Sequence, residues 1–178
     1  MTSVPSDAIQ IAALLAAQGE TLAVAETTAG GLISAMLTEV PGASRWFLGG
    51  ATAYGVLAKS RWLGLDAASF GAGGAVSVDA ARLMADAART ILGATWAVAE
   101  TGIAGPQAGR RSTKPAGLAY IAIAGPHPLE RELCTGLPGR SENQRAFATA
   151  ALALLREALE RAPYRPPQPD PRNNPSPG

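Results

Sequence analysis

Three features of the sequence predict an α/β fold, a three-layer α/β/α sandwich around a mixed, mostly parallel five-stranded sheet. The runs TLAVAE at 21–26 and TWAVAE at 95–100 are short and almost continuously apolar, as strands covered on both faces are. Stretches of helical periodicity alternate with such runs from the start of the chain, which favours parallel strands joined by helical crossovers. Late in the chain, AGLAYIAIAG and LERELC flank a Gly-Pro-His-Pro turn, and a connection that tight joins antiparallel strands.

The first helix is expected from Ser6 to about Gln18, where Ile9, Ile11, Ala12, Leu14 and Leu15 form an apolar face, with a cap near Ser6 and a stop at Gly19. The strand at 21–26 then runs into a helix at about 29–40, which carries Leu32, Ile33, Met36, Leu37 and Val40 on one side and ends before Pro41. FLGGATAYGVL reads as a strand broken or bulged by its glycines, followed by a short helix at 58–63. FGAGGAVS is a loop that delivers Ser77 as the N-cap of a helix over 78–92. The next strand ends in glycine at Gly102, and the alternating charges of LERELC mark an edge strand, with Cys134 expected as a small buried residue. A final helix covers 141–161, with Phe147, Ala151, Leu154, Leu155 and Leu159 near one face.

A chain of 178 residues with 47% apolar content can build one packed core and is short for two, so a single domain is expected over 1–162. The Pro-rich polar end, 163–178, can bury almost nothing and is expected to be a disordered tail. With 15 basic against 14 acidic residues and no basic run longer than Arg110-Arg111, the chain lacks an electrostatic footprint for nucleic acid. The lone Cys134 has no disulfide partner, no metal-ligand spacing surrounds it, and the only histidine, His127, sits between prolines in a turn. Neither a metal, nor a cofactor, nor histidine chemistry is expected. The N-terminal apolar stretch carries Asp7, lacks Lys or Arg and is too short for a bilayer, so a cytoplasmic chain without a membrane partner is expected.

An internal echo places the site. VAETTAGG at 24–31 and VAETGIAGP at 98–106 end two buried strands alike, and ligands of open α/β sheets bind outside the carboxyl ends of strands. Thr27, Thr28 and Thr101 could therefore converge there, with Gly30, Gly31 and Gly102 allowing a ligand to approach the backbone. The opening N–H groups of the helix near Ala29 offer an anion site. A plainer reading stands beside this one: either threonine could cap the helix, and Glu26 could sit at the positive end of its dipole.

In order along the chain, AETTAGG, PGASRWFLGGATAY with a lysine five residues beyond the tyrosine, TGIAGP, KPAGLAYIAI and GRSENQR resemble the family of the C-terminal domain of the competence/damage-inducible protein CinA. The likeness covers roughly residues 6–160. Stand-alone members of that family are nicotinamide mononucleotide deamidases, which hydrolyse the carboxamide to nicotinic acid mononucleotide and ammonia without a metal, using a serine and a lysine. The resemblance implies an amidohydrolase of pyridine nucleotide salvage with Thr27 at the nucleophile position, Lys59 as general base and Tyr54 as a supporting hydroxyl. It further implies substrate contacts from Thr28, Gly30, Gly31, Thr101, Gly102, Arg140 and Arg145, the arginines holding the phosphate. A small-molecule nucleotide is the implied partner, and a homo-oligomer the expected state.

A lysine can activate a hydroxyl when desolvation lowers its pKa, which suits a chain with no usable histidine. The sequence also departs from the family pattern. Threonine replaces the serine, and its methyl group restricts χ1. Gly55, Val56 and Leu57 replace a polar YSNEAK-like segment, and Glu100 stands where a small or apolar residue is expected. The alternative is a divergent paralogue that keeps the fold and binds a nucleotide or a partner protein with little or no catalysis.

Overall fold

Alternating residue size along the strands sets the architecture. In β1 (Leu22–Glu26) and β3 (Trp96–Ile103), Leu22, Val24, Trp96 and Val98 face one way, and Ala23, Ala25, Ala97 and Ala99 the other. The bulky face is covered by α1 (Ser6–Gln18), α2 (Leu32–Thr38) and α5 (Arg140–Arg161), through Ile11, Leu15, Ile33, Leu37, Leu152 and Leu155 among others. The alanine face receives α4 (Val78–Leu92), whose own inner side is Ala80, Ala81, Met84, Ala85 and Ala88, so helix and sheet approach closely. The computed structural model describes residues 4–106 and 113–163.

The five strands lie in the order β2-β1-β3-β4-β5, with β2 at Phe47–Thr52, β4 at Leu118–Ala124 and β5 at Leu129–Cys134. Pairing is parallel between β1 and β2 and between β1 and β3, and antiparallel on both sides of β4. The expected mixed sheet with one antiparallel member is thus present, in three layers. The register of β2 shifts between Leu22 and Ala23, and the residue left without a partner is Leu48, while Gly49 and Gly50, from which a bulge was expected, pair with Ala23 and Val24. A Cβ on Gly50 would collide with Ser34 Oγ and press on Val24, so glycine here lets α2 lie against β2.

Four local expectations shift. Pro5, in place of Ser6, occupies the N-cap of α1, and no side chain caps that helix. The second helix starts three residues later than read, at Leu32, because residues 27–31 form a turn. The helix α3 (Val56–Leu63) starts two residues earlier than read, behind Gly55. Cys134 lies on β5 as expected but is exposed, since the edge strand turns every second side chain outward. Ser77 caps α4 as expected, accepting the Ala80 N–H at 3.1 Å. The Arg110-Arg111 pair and the expected tail beyond Pro163 lie outside the described residues.

Candidate active site

The parallel register of β1 and β3 sets Glu26 directly beside Glu100 at the carboxyl ends of both strands, each fully buried. Two carboxylates removed from water side by side each need donors or a proton. Glu26 finds donors: it accepts the N–H groups of Gly31 at 2.9 Å, Ile33 at 3.0 Å and Ser34 at 2.9 Å, and the Ser34 hydroxyl at 2.7 Å. It caps α2 from within the strand. The helix-cap reading was sound in kind, but the carboxylate performs it and the threonines do not.

Glu100 is less well served. Its Oε2 accepts the N–H of Ala29 at 2.8 Å and of Thr27 at 3.2 Å, while Oε1 is buried without a hydrogen-bond partner. Burial pushes its carboxyl up to about 7, the nearby charge of Glu26 adds to that, and the backbone N–H bonds oppose it. The N–H groups of Ala29 and Gly31, expected to receive a ligand anion, thus bind the chain's own carboxylates.

The turn between Glu26 and α2 brings the two threonine hydroxyls to 3.2 Å of each other. Alternation along a strand would have separated them, but β1 has already ended. The Thr28 hydroxyl donates to the Gly102 carbonyl at 2.7 Å and accepts the Gly102 N–H at 3.1 Å. A hydroxyl has one proton, so in the contact between the threonines Thr27 is the donor. Thr28 stitches the end of β1 to β3, and Gly102 is small for a packing reason as well, since a Cβ there would fall 2.6 Å from the Leu118 carbonyl oxygen. From α5, Gln144 donates to the Thr28 carbonyl at 2.9 Å, a contact the sequence did not signal beyond its place in SENQR.

Lys59 is 6% exposed, turned inward from α3, and donates to the Tyr54 carbonyl at 3.0 Å. Burial lowers its pKa, and the charge of Glu100 acts against that lowering. Tyr54 therefore supports the lysine through its backbone. Its side chain is 59% exposed, and its hydroxyl accepts from Arg140 at 3.0 Å. Arg140 also donates to the Gly105 carbonyl at 3.0 Å, which ties the start of α5 to the loop after β3. Thr101 points to the α4 side of the sheet and donates to the Ala75 carbonyl at 2.6 Å, so its hydroxyl proton is already engaged. Gly30 and Gly31 take positive φ in the turn, and Arg145 is exposed on α5. Asn143, fully buried, holds the Ala104 and Leu137 carbonyls and was not singled out from the sequence. Among the described residues no three His, Cys, Asp or Glu side chains gather as a metal site.

These features define an α/β domain in which the turn after β1 carries two hydroxyls and is tied to β3 and α5, and Tyr54 links a buried lysine to the arginine at the start of α5. The chain belongs to the CinA family, for the model of the CinA C-terminal domain matches residues 6–159. It is 44% identical over 152 residues to a CinA-like protein of Synechococcus elongatus, covering 84% of this chain and 36% of that protein. It is equally 44% identical over 149 residues to a CinA-like protein of Anaeromyxobacter sp. strain K, with the same coverage. The chain thus spans about a third of the length of the curated relatives it matches. Among solved structures, a competence/damage-inducible protein from Agrobacterium tumefaciens superposes with a TM-score of 0.78 at 35% identity, covering 90% of this chain and 100% of that one. The competence damage-inducible protein A from Klebsiella pneumoniae gives a TM-score of 0.82 at 25% identity, covering 90% and 99%.

Proposed function

We propose that this domain is an amidohydrolase that converts nicotinamide mononucleotide to nicotinic acid mononucleotide and ammonia, a step of pyridine nucleotide salvage. The observation that carries the reading is Lys59, a buried amine whose pKa is lowered by desolvation, on the loop and helix that follow β2. In this mechanism Thr27 Oγ1 attacks the carboxamide carbon while its proton passes to Lys59. The tetrahedral intermediate collapses, Lys59 returns the proton to the leaving nitrogen, and ammonia departs. Water, deprotonated by Lys59, then attacks the threonyl ester, and Lys59 passes that proton to the departing Thr27 Oγ1 as the carboxylic acid is released and ionises. Before attack, the Thr27 O–H must swing away from Thr28, its acceptor in the resting site. Arg140 and Arg145, near the start of α5, would bind the phosphate.

A second reading is that the domain binds a nucleotide or a partner protein with little or no catalysis. It is favoured by the resting hydrogen bonds, in which Thr27 donates to Thr28 and the turn N–H groups already serve Glu26 and Glu100. Ammonia release from nicotinamide mononucleotide by the purified protein separates the two. The first reading expects turnover that falls by at least roughly a hundredfold in Lys59→Ala and is kept or raised in Thr27→Ser. Full activity in Lys59→Ala would remove the mechanism, and binding without turnover in all three proteins would establish the second reading.

A homo-oligomer belongs to the same proposal. Its support is a set of exposed apolar side chains, Leu48, Trp62, Ile91 and Leu92, on β2, α3 and α4. Light scattering of the purified chain tests it. The cytoplasmic setting is likewise proposed, and no helix among the described residues is long and apolar enough to cross a membrane.

A further inference from the structure

One ammonium group that the reaction above does not use holds the loop leading into α4. The consecutive carbonyls of that loop, from Gly73 to Val76, each take a side-chain donor. Lys114 Nζ donates to Gly73 at 3.3 Å and to Val76, the Ser77 hydroxyl to Gly74 at 2.9 Å, and the Thr101 hydroxyl to Ala75 at 2.6 Å. Lys114 comes from the chain just ahead of β4, and its Nζ stands 5.5 Å from the centre of the Tyr120 ring. Tyr120 is the direct cross-strand partner of Thr101, so the ammonium, the loop and the threonine share one corner of the sheet. We propose that Lys114 is a positioning residue of the site: it pins the loop so that Thr101 gives its proton to Ala75 and offers only lone pairs, the acceptor for the N–H groups of a primary carboxamide. The inference rests on the deamidase reading of the site.

A hydroxyl carries one proton and accepts through its lone pairs. A threonine free to rotate donates to a carboxylate or accepts from an amide, and prefers neither. Committed to the Ala75 carbonyl, Thr101 keeps only acceptors, which suit the N–H groups of a carboxamide and set lone pair against lone pair when a carboxylate takes its place. Substrate and product are thereby told apart at the atom the reaction exchanges. Strand register supplies the position. Glu26 pairs with Glu100, and the Thr27 N–H still bonds the Glu100 carbonyl at 3.1 Å, so Thr101 is the next residue of β3 beside the nucleophile turn. The Ala75 carbonyl sits in a loop with no strand ladder to fix it. Its bearing depends on the Gly73 and Val76 carbonyls on either side, and one Nζ holds both.

The test compares wild type with Lys114→Met, Thr101→Val and the double variant. Preference for the amide is read as the inhibition constant of nicotinic acid mononucleotide divided by the KM for nicotinamide mononucleotide. Each single variant is expected to lower that ratio about tenfold, and the double variant no further. Loss of stability alone leaves the ratio where it is. An unchanged ratio in Lys114→Met, or losses that multiply in the double variant, overturns the proposal. A second measurement needs neither turnover nor a variant. In the ligand-free wild type the Thr101 hydroxyl proton should exchange with water slowly enough to be seen by NMR, and a proton averaged with water overturns the proposal even where Lys114→Met does not fold. In Lys114→Met that exchange should be at least roughly tenfold faster, and an unchanged rate overturns it equally. If the hydroxyl proton behaves as expected while no protein releases ammonia from this substrate, the deamidase reading fails and the role of Lys114 in fixing Thr101 stands.

Discussion

Glu26 and Glu100 are the same residue type at the same level of neighbouring strands, and the difference between them is a matter of donors. Glu26 receives four hydrogen bonds, three of them from backbone N–H groups at the start of α2. Glu26→Ala should strip those buried donors of their acceptor and cost about 3 kcal/mol or more, read as a lower urea midpoint. For Glu100 the pH dependence has a definite sign. Its folded-state pKa of about 7 lies above the ordinary 4.5, so the folded protein binds the proton more tightly than the unfolded chain. This contribution to stability is fully present below pH 4.5 and is lost as pH rises through 7. A shift of that size corresponds to at most about 3 kcal/mol, and denaturation at several pH values should show the decline in wild type and its absence in Glu100→Gln. From the sequence, both threonines and Lys59 were visible as candidates, Glu26 as a carboxylate at the helix dipole, and Glu100 only as a departure from the family pattern. Which hydroxyl carries a free proton was not, because it depends on Gly102, seventy-four residues away from Thr28.

At the scale of elements, boundaries were legible where the signal is local. Ser77 opens α4 and the helix ends at Leu92 as read, since a hydroxyl three residues before the N–H it accepts is a property of the immediate chain, as is the left-handed Gly93 that follows. Ser77→Ala should cost about 1 kcal/mol, measured as a fall in thermal midpoint with the helical spectrum kept. The start of α2 was misread by three residues because its cap comes from a strand residue, Glu26, outside any local capping pattern. Gly102 shows the converse. It was expected as room for a ligand, yet a Cβ there would press on Leu118 and Ala119 of β4. Gly102→Ala should therefore destabilise the domain without any ligand present, and a thermal midpoint equal to wild type would contradict the packing account.

For the whole molecule, the order of helices and strands and the mixed sheet follow from apolar period and turn chemistry, and the VAET echo points to the carboxyl ends of β1 and β3 as the candidate site. A hydroxyl and lysine mechanism needs no metal, so exhaustive dialysis against a chelator should leave ammonia release unchanged; loss restored by a divalent cation would contradict it. The sequence by itself determined the three-layer class and the order of its helices and strands. Those depend on period, length and local order, which a chain carries in one dimension. Only the tertiary structure decided that Tyr54 holds Lys59 by its carbonyl, that Thr101 donates to the Ala75 carbonyl, and that carboxylates fill the turn's N–H groups. The first two depend on how the chain after β2 and before α4 folds back on the ends of the sheet, and the last on strand register, since the pairing of Glu26 with Glu100 across β1 and β3 sets both carboxylates beside the turn.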